Sequence, residues 1–133
     1  MTVSSSAAER VVDDILSSNN EILSAGVIDR SGNIIANKSI KSFGKRYEVS
    51  RLEGDKYSGT LAVAALSIAN EVNDAFGEPQ ALVTFYRDYK LMLLPLPSYS
   101  ILIGLALKRS ANEDNDKTID EIERLVRGVL KPQ

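Results

Sequence analysis

Residues 80–108 read QALVTFYRDYKLMLLPLPSYSILIGLALK. Three apolar runs, 81–86, 91–94 and 101–107, are separated by breaks at 87–90 and 95–100. Short apolar runs bounded by turn signals form strands more often than helices. The stretch therefore predicts a three-strand antiparallel meander that floors one domain. In the last run Ile101, Ile103, Leu105 and Leu107 point to one face, and Leu102, Gly104 and Ala106 to the other. An apolar residue at nearly every position predicts a central strand covered on both faces. Gly104 and Ala106 leave room there for a closely packed helix. Pro95 and Pro97 cannot donate ladder bonds, so they are expected to end the middle strand. The run 81–86, with polar Thr84, is expected at a sheet edge.

Immediately upstream, residues 59–76 have helical periodicity, with Ser58 or Thr60 as N-cap and Gly77 as C′ glycine. Leu61, Ala65, Ile68, Val72 and Phe76 line one face, flanked by Ala62, Ala64, Ala69 and Ala75. Val63 and Leu66 lie toward the opposite side, beside Ser67, Asn70 and Asn73. A helix apolar most of the way round is covered on more than one side. The sheet covers one side, and a second copy or another partner is expected on the other.

Nearer the N-terminus, Ser4, Ser5 or Ser6 caps a helix starting near Ala7, and Ser6 with Glu9 fits a capping box. Val11, Val12, Ile15 and Leu16 form its apolar stripe. Strands at 22–28 and 33–36 flank Asp29-Arg30-Ser31-Gly32. Aspartate opens such a turn by bonding its own backbone, and glycine closes it in a left-handed conformation. Gly26 marks a bulge or the close approach of a helix. A last helix is predicted over 118–130, with Thr118 and Glu121 as its capping box. Its stripe is Ile119, Ile122, Val126 and Val129, and Arg127 and Lys131 fall late, as the helix dipole favours. Residues 1–6 read as a frayed start and 37–58 as an irregular charged connector. In that connector Lys41, Lys45, Arg46 and Arg51 make either a solvated face or a rim for an acidic partner. The order is α-β-β-α-β-β-β-α, an α+β single domain over residues 1–133.

The composition excludes much chemistry. The 133 residues are 44% hydrophobic and 26% charged with a net charge of −2, which argues against a general nucleic-acid binder. There is no cysteine and no histidine. This removes disulfides, thiolate chemistry, the usual general base near neutral pH and the commonest transition-metal ligands. Gly44-Lys45 lacks the upstream glycine and following Ser/Thr of a phosphate loop. The acidic run 112–116 lacks the glycine and distant glutamate of a calcium loop. Asp13 and Asp14 diverge on a helix, and a Ser39–Lys41 pair has nothing to fix its geometry. No catalytic residue, cofactor or metal is assigned. No run is long enough to span a membrane and no signal-peptide core is present, so a cytoplasmic protein is expected.

The stretch Ala25-Gly26-Val27-Ile28-Asp29-Arg30-Ser31-Gly32-Asn33-Ile34-Ile35-Ala36, the alanine-rich second helix and the meander before a terminal helix resemble the roadblock/dynein light-chain family. The resemblance runs from Val11 to Leu130 and departs at 37–58. It implies a profilin-like fold: a five-stranded antiparallel sheet with the second helix on one face and the terminal helices on the other. It also implies dimers that pair this helix and extend the sheet through the strand after it. Many members regulate or scaffold small Ras-like GTPases. On that basis Ala62, Val63, Leu66, Asn70, Asn73, Leu82 and Thr84 are the expected interface. A small-ligand sensor of PAS- or GAF-like architecture is the alternative, with 37–58 over a pocket.

Overall fold

The structure is a computed structural model and describes residues 3–40, 67, 70, 71, 73–109 and 114–132. The elements are α1 (Ser5–Ser18), β1 (Ile22–Asp29), β2 (Ile34–Ser39), α2 (Asn73–Phe76), β3 (Leu82–Phe85), β4 (Tyr89–Leu96), a 3-10 turn (Pro97–Tyr99), β5 (Ile101–Lys108) and α3 (Asn115–Val129). The strands form one antiparallel sheet in the order β2-β1-β5-β4-β3. β5 is the central strand, as its uninterrupted apolar run predicts, and β3 lies at an edge.

One face of the sheet is the main core. Ala25 and Val27 of β1, Met92 and Leu94 of β4, and Ile103 and Leu105 of β5 are buried there. Val11, Val12 and Ile15 of α1 and Ile119, Ile122 and Val126 of α3 cover them. The helical stripes thus meet the odd-numbered side of β5. The opposite face holds a smaller cluster of Ile28 and Leu102, with Ile34 and Leu93 packed on it. Helical Ser67 and Asn70 lie on this side, lining a cleft with Pro95 and Leu102.

The first hairpin forms as its sequence dictates. The Asp29 carboxylate accepts the Ser31 and Asn33 amide protons, both at 2.9 Å, and the Asn33 side-chain amide at 3.1 Å. Gly32 follows with φ 88°, a left-handed backbone that other residues rarely adopt. Partial burial works against ionisation of Asp29, but these donors outweigh it and hold its pKa below the ordinary aspartate value. A depressed carboxylate pKa stabilises the fold above the unfolded-state pKa, and the contribution is lost as pH falls through the folded-state value. Asp29→Ala should therefore cost about 1 kcal/mol in urea denaturation at pH 7. At acid pH, below both pKa values, its cost relative to wild type should shrink.

Several boundaries differ from expectation. Ser4, one of the three serines expected as the cap of α1, fills that place without the Ser6 capping box: its hydroxyl accepts the Ala7 amide proton at 3.2 Å, and the helix starts at Ser5 rather than near Ala7. The residues read as a frayed start thus supply the cap and first turn. α3 begins at Asn115 rather than Thr118, because Asp114 accepts the Lys117 amide proton at 3.0 Å. Part of the acidic loop is therefore the helix's first turn, where Asp116 suits the positive helix end. β2 runs on to Ser39, past the expected Ala36, because polar residues are tolerated on an edge strand. The register slip between β1 and β2 falls at Val27/Ile28, one residue beyond Gly26. Gly26 itself pairs with Gly104. Phe76, grouped above with the apolar stripe of its helix, is 83% exposed where the helix ends before Gly77 (φ 80°).

β4 is longer than its apolar run at both ends. Pro95 lies inside the strand, paired with Leu102 of β5, and does not end it. The reason is its place in the ladder. Pairing between β3 and β4 stops at Leu82 and Leu93. The side of Pro95 that lacks a donor faces the space beyond β3, so no ladder bond is lost. At the other end, the strand admits Lys90, whose ammonium donates to the Asn115 side-chain oxygen at 2.6 Å.

Candidate functional site: the open edge of the sheet

Among the described residues, β3 is paired on one side only. The direction of its backbone groups follows from two bonds outside the regular ladder. The Tyr86 amide donates to the Tyr89 carbonyl at 2.8 Å, closing the Arg87-Asp88 turn. The Arg109 amide donates to the Asp88 carbonyl at 3.1 Å, continuing the pairing of β4 with β5. Hydrogen-bonded and non-bonded pairs alternate along an antiparallel ladder. Hence Leu82 and Thr84, like Tyr86, turn their backbone groups toward β4. Val83 and Phe85 turn theirs to the open side.

The side chains on this edge are apolar and accessible. Phe85 and Tyr86 are each 53% exposed, and Leu91 of β4 is 43% exposed. Val83 and Phe85 share the face covered by α1 and α3, whereas Leu82, Thr84 and Tyr86 share the other face with Leu91 and Leu93. Arg109 braces the corner. Its guanidinium lies 4.6 Å from the centre of the Phe85 ring and donates to the Tyr86 carbonyl at 2.9 Å. Cation–π attraction and a charge-assisted bond together fix the end of the strand. An exposed strand edge with aromatic side chains and no proline is a template for another chain.

The opposite edge is different in kind. The exposed end of β2 is Lys38-Ser39. The Lys38 ammonium donates to an Asp13 carboxylate oxygen of α1 at 2.8 Å. That bond, with Asp13 and Glu9 as nearby negative charges, raises the lysine pKa. Ser39 donates to the Ser24 hydroxyl of β1 at 3.1 Å.

Of the expected interface residues, Leu82 and Thr84 lie together on β3, half-buried and exposed respectively. Asn73 opens α2, and exposed Asn70 borders the cleft beside Leu102, so Asn70 adjoins the sheet as well as solvent. Ala62, Val63 and Leu66 lie outside the described residues, as do Lys41, Lys45, Arg46 and Arg51 of the proposed rim. Sequence reasoning missed Phe85, Tyr86 and Arg109. The aromatic pair was legible as the end of an edge run, but nothing local to Arg109 shows that the ladder returns it to Phe85. Adjoining the cleft beside Asn70, and sharing Pro79, Pro95 and Pro97 with it, an open cleft of about 410 Å³ lies at the far end of β4, with Tyr99, Glu123 and Arg127 also in its walls. No helix among the described residues is long and apolar enough to cross a membrane.

No protein-family model matches the chain, and no curated protein matches it in sequence. Solved structures do match it along most of its length. A Roadblock/LC7 domain from Streptomyces avermitilis is 13% identical, covers 91% of this chain and 92% of its own, and superposes with a TM-score of 0.68. Myxococcus xanthus MglB is 10% identical over 90% of this chain and 89% of its own, with a TM-score of 0.68. An MglB with a tetrameric arrangement is 17% identical over 98% of this chain and 97% of its own, with a TM-score of 0.62. The element order, the strand order and these superpositions agree: the chain has the roadblock/LC7 fold.

Proposed function

We propose that this chain is a non-catalytic, dimeric interaction module that regulates or scaffolds a small Ras-like GTPase. The observation that carries the reading is the open β3 edge, with outward backbone groups at Val83 and Phe85 and exposed Phe85 and Tyr86 beside them. A second copy offers the same edge and satisfies both. The roadblock fold supports the GTPase half of the reading, since its members in the resembling family commonly serve such enzymes. The absence of histidine and cysteine suits a binding role.

Light scattering after size exclusion tests the dimer. The wild type is expected at twice the chain mass, and a monomer at tens of micromolar would sink this part. Val83→Pro should yield a folded monomer. Its N–H points outward, so proline there removes no bond between β3 and β4 while denying one to the second copy. Thr84→Pro, by contrast, removes a donor to β4 and should lower the melting temperature. For the GTPase, purified Ras-like GTPases from the same cell, loaded with GDP or a GTP analogue, are passed over the immobilised protein. Retention of none in either state would overturn that part alone.

A further inference from the structure

We infer that the cleft at the far end of β4 is a binding site for an arginine side chain presented by a partner peptide. All four prolines of the chain, Pro79, Pro95, Pro97 and Pro132, line it. Proline has no backbone N–H and a fixed φ. Walls built from it present ring carbons and carbonyl oxygens, with no main-chain donor at those positions. They also hold their shape before a ligand arrives, so little has to be ordered on binding.

Hydrogen-bond acceptors are in place there. The nitrogen and carbonyl of a strand residue point the same way, so the Pro95 oxygen is directed into the space beyond β3. It accepts no hydrogen bond from another described residue. The Pro97 carbonyl, by contrast, is taken by the Ser100 amide at 3.1 Å. Glu78, ahead of β3, and Glu123, on α3, add two carboxylates. Neither is ion-paired with another described residue, although Arg127 lies one turn beyond Glu123 in the same wall. Tyr99, half-buried against the main core, contributes an aromatic surface.

These groups select the ligand. Glu78 and Glu123 set against Arg127 leave the lining with one net negative charge, so an anion is disfavoured. A guanidinium presents five donors in a planar fork, which suits carboxylate and carbonyl oxygens together, and its plane stacks on an aromatic ring. A lysine ammonium is more strongly hydrated and lacks that plane. The cleft is open, whereas a free small molecule depends on burying most of its surface. A side chain carried by a peptide makes its remaining contacts outside the cleft. The site is separate from the β3 strand and does not depend on the dimeric or GTPase reading.

An NMR titration of the isotope-labelled full chain with an end-blocked Gly-Arg-Gly tripeptide tests the site. Saturable shifts are expected at the amides of Gln80, Ser98, Tyr99 and Arg127, which line the cleft. The same tripeptide with citrulline in place of arginine keeps the shape and loses the charge. It should bind at least about tenfold more weakly, since charge-assisted bonds are about twice as strong as neutral ones. The double variant Glu78→Gln/Glu123→Gln should lose a similar factor for the arginine peptide, with its spectrum elsewhere unchanged. Equal binding of the citrulline peptide overturns the proposal. So does full retention of affinity in the double variant, or saturable shifts confined to other residues, or none at all. If the double variant fails to fold, the two peptides compared on the wild type still decide.

Discussion

Ile103→Ala is expected to cost about 2–5 kcal/mol of folding stability. Ile103 is fully buried at the middle of β5, opposite Val27 of β1 and Leu94 of β4, both also fully buried. α1 and α3 close over the same face, so the truncation leaves a cavity walled by three strands and two helices. Sheet backbone cannot collapse into such a space, because the neighbouring ladders hold it on both sides. For a chain of this length the loss corresponds to a melting temperature lowered by roughly 10 °C. Urea denaturation at one fixed protein concentration reads the effect, which matters if folding and dimerisation are linked. Leu91→Ala is the control: Leu91 is 43% exposed on the other face, and its truncation should cost under about 1 kcal/mol. Equal losses for the two variants would show that the core does not centre on β5.

The second expectation concerns the buried cation. Lys90 is 2% exposed and faces the main core, in line with Met92 and Leu94. Its ammonium donates to the Asn115 oxygen at the start of α3, where the helix dipole disfavours a positive charge. Asp114 as N-cap and Asp116 in the first turn offset that field. Asn115→Ala removes the acceptor and leaves the ammonium buried without it. A loss of about 1–3 kcal/mol is expected, despite the better helix propensity of alanine. Lys90→Met keeps the length of the side chain and removes the charge. Replacing a buried charge with a well-packed apolar group is often neutral or stabilising, so its cost should stay within about 1 kcal/mol. The double variant should then resemble Lys90→Met alone, because the harm of losing Asn115 requires the ammonium. If Lys90→Met proves the more damaging substitution, the lysine contributes more than its charge costs. Urea denaturation of all four proteins closes the cycle.

These two residues also show where the sequence is readable and where it is not. Ile103 declares itself, since an unbroken apolar run has to be covered on both faces. The same local logic finds the Asp29 turn and the β3 edge. It fails at Lys90 and Pro95, which look like strand breakers when read singly. Each is admitted by something distant: Lys90 by a helix residue 25 positions away, and Pro95 by the stopping of β3 one strand over. The cap of α3 is a milder case, in which Asp114 and Thr118 are both good candidates and the geometry selects the aspartate. Of the candidate edge, Leu82 and Thr84 were expected from the family resemblance, with polar Thr84 the one local sign of an edge. The Arg109 brace was not, because its contacts span 23 residues to Tyr86 and depend on strand order.

The unlike edges of the sheet have a consequence for assembly size. A subunit with two adhesive edges polymerises, since every addition exposes another acceptor. This one carries apolar and aromatic side chains on β3, whereas β2 ends in an exposed lysine tied back to α1 and a serine tied back to β1. In the dimer proposed above, such a subunit is monovalent through its sheet edges. Edge-to-edge addition through β3 consumes its valence in one step and leaves two β2 edges facing outward, each poorly suited to recruit a third chain. By this route the sheet doubles once and stops, which separates a closed pair from a growing ribbon.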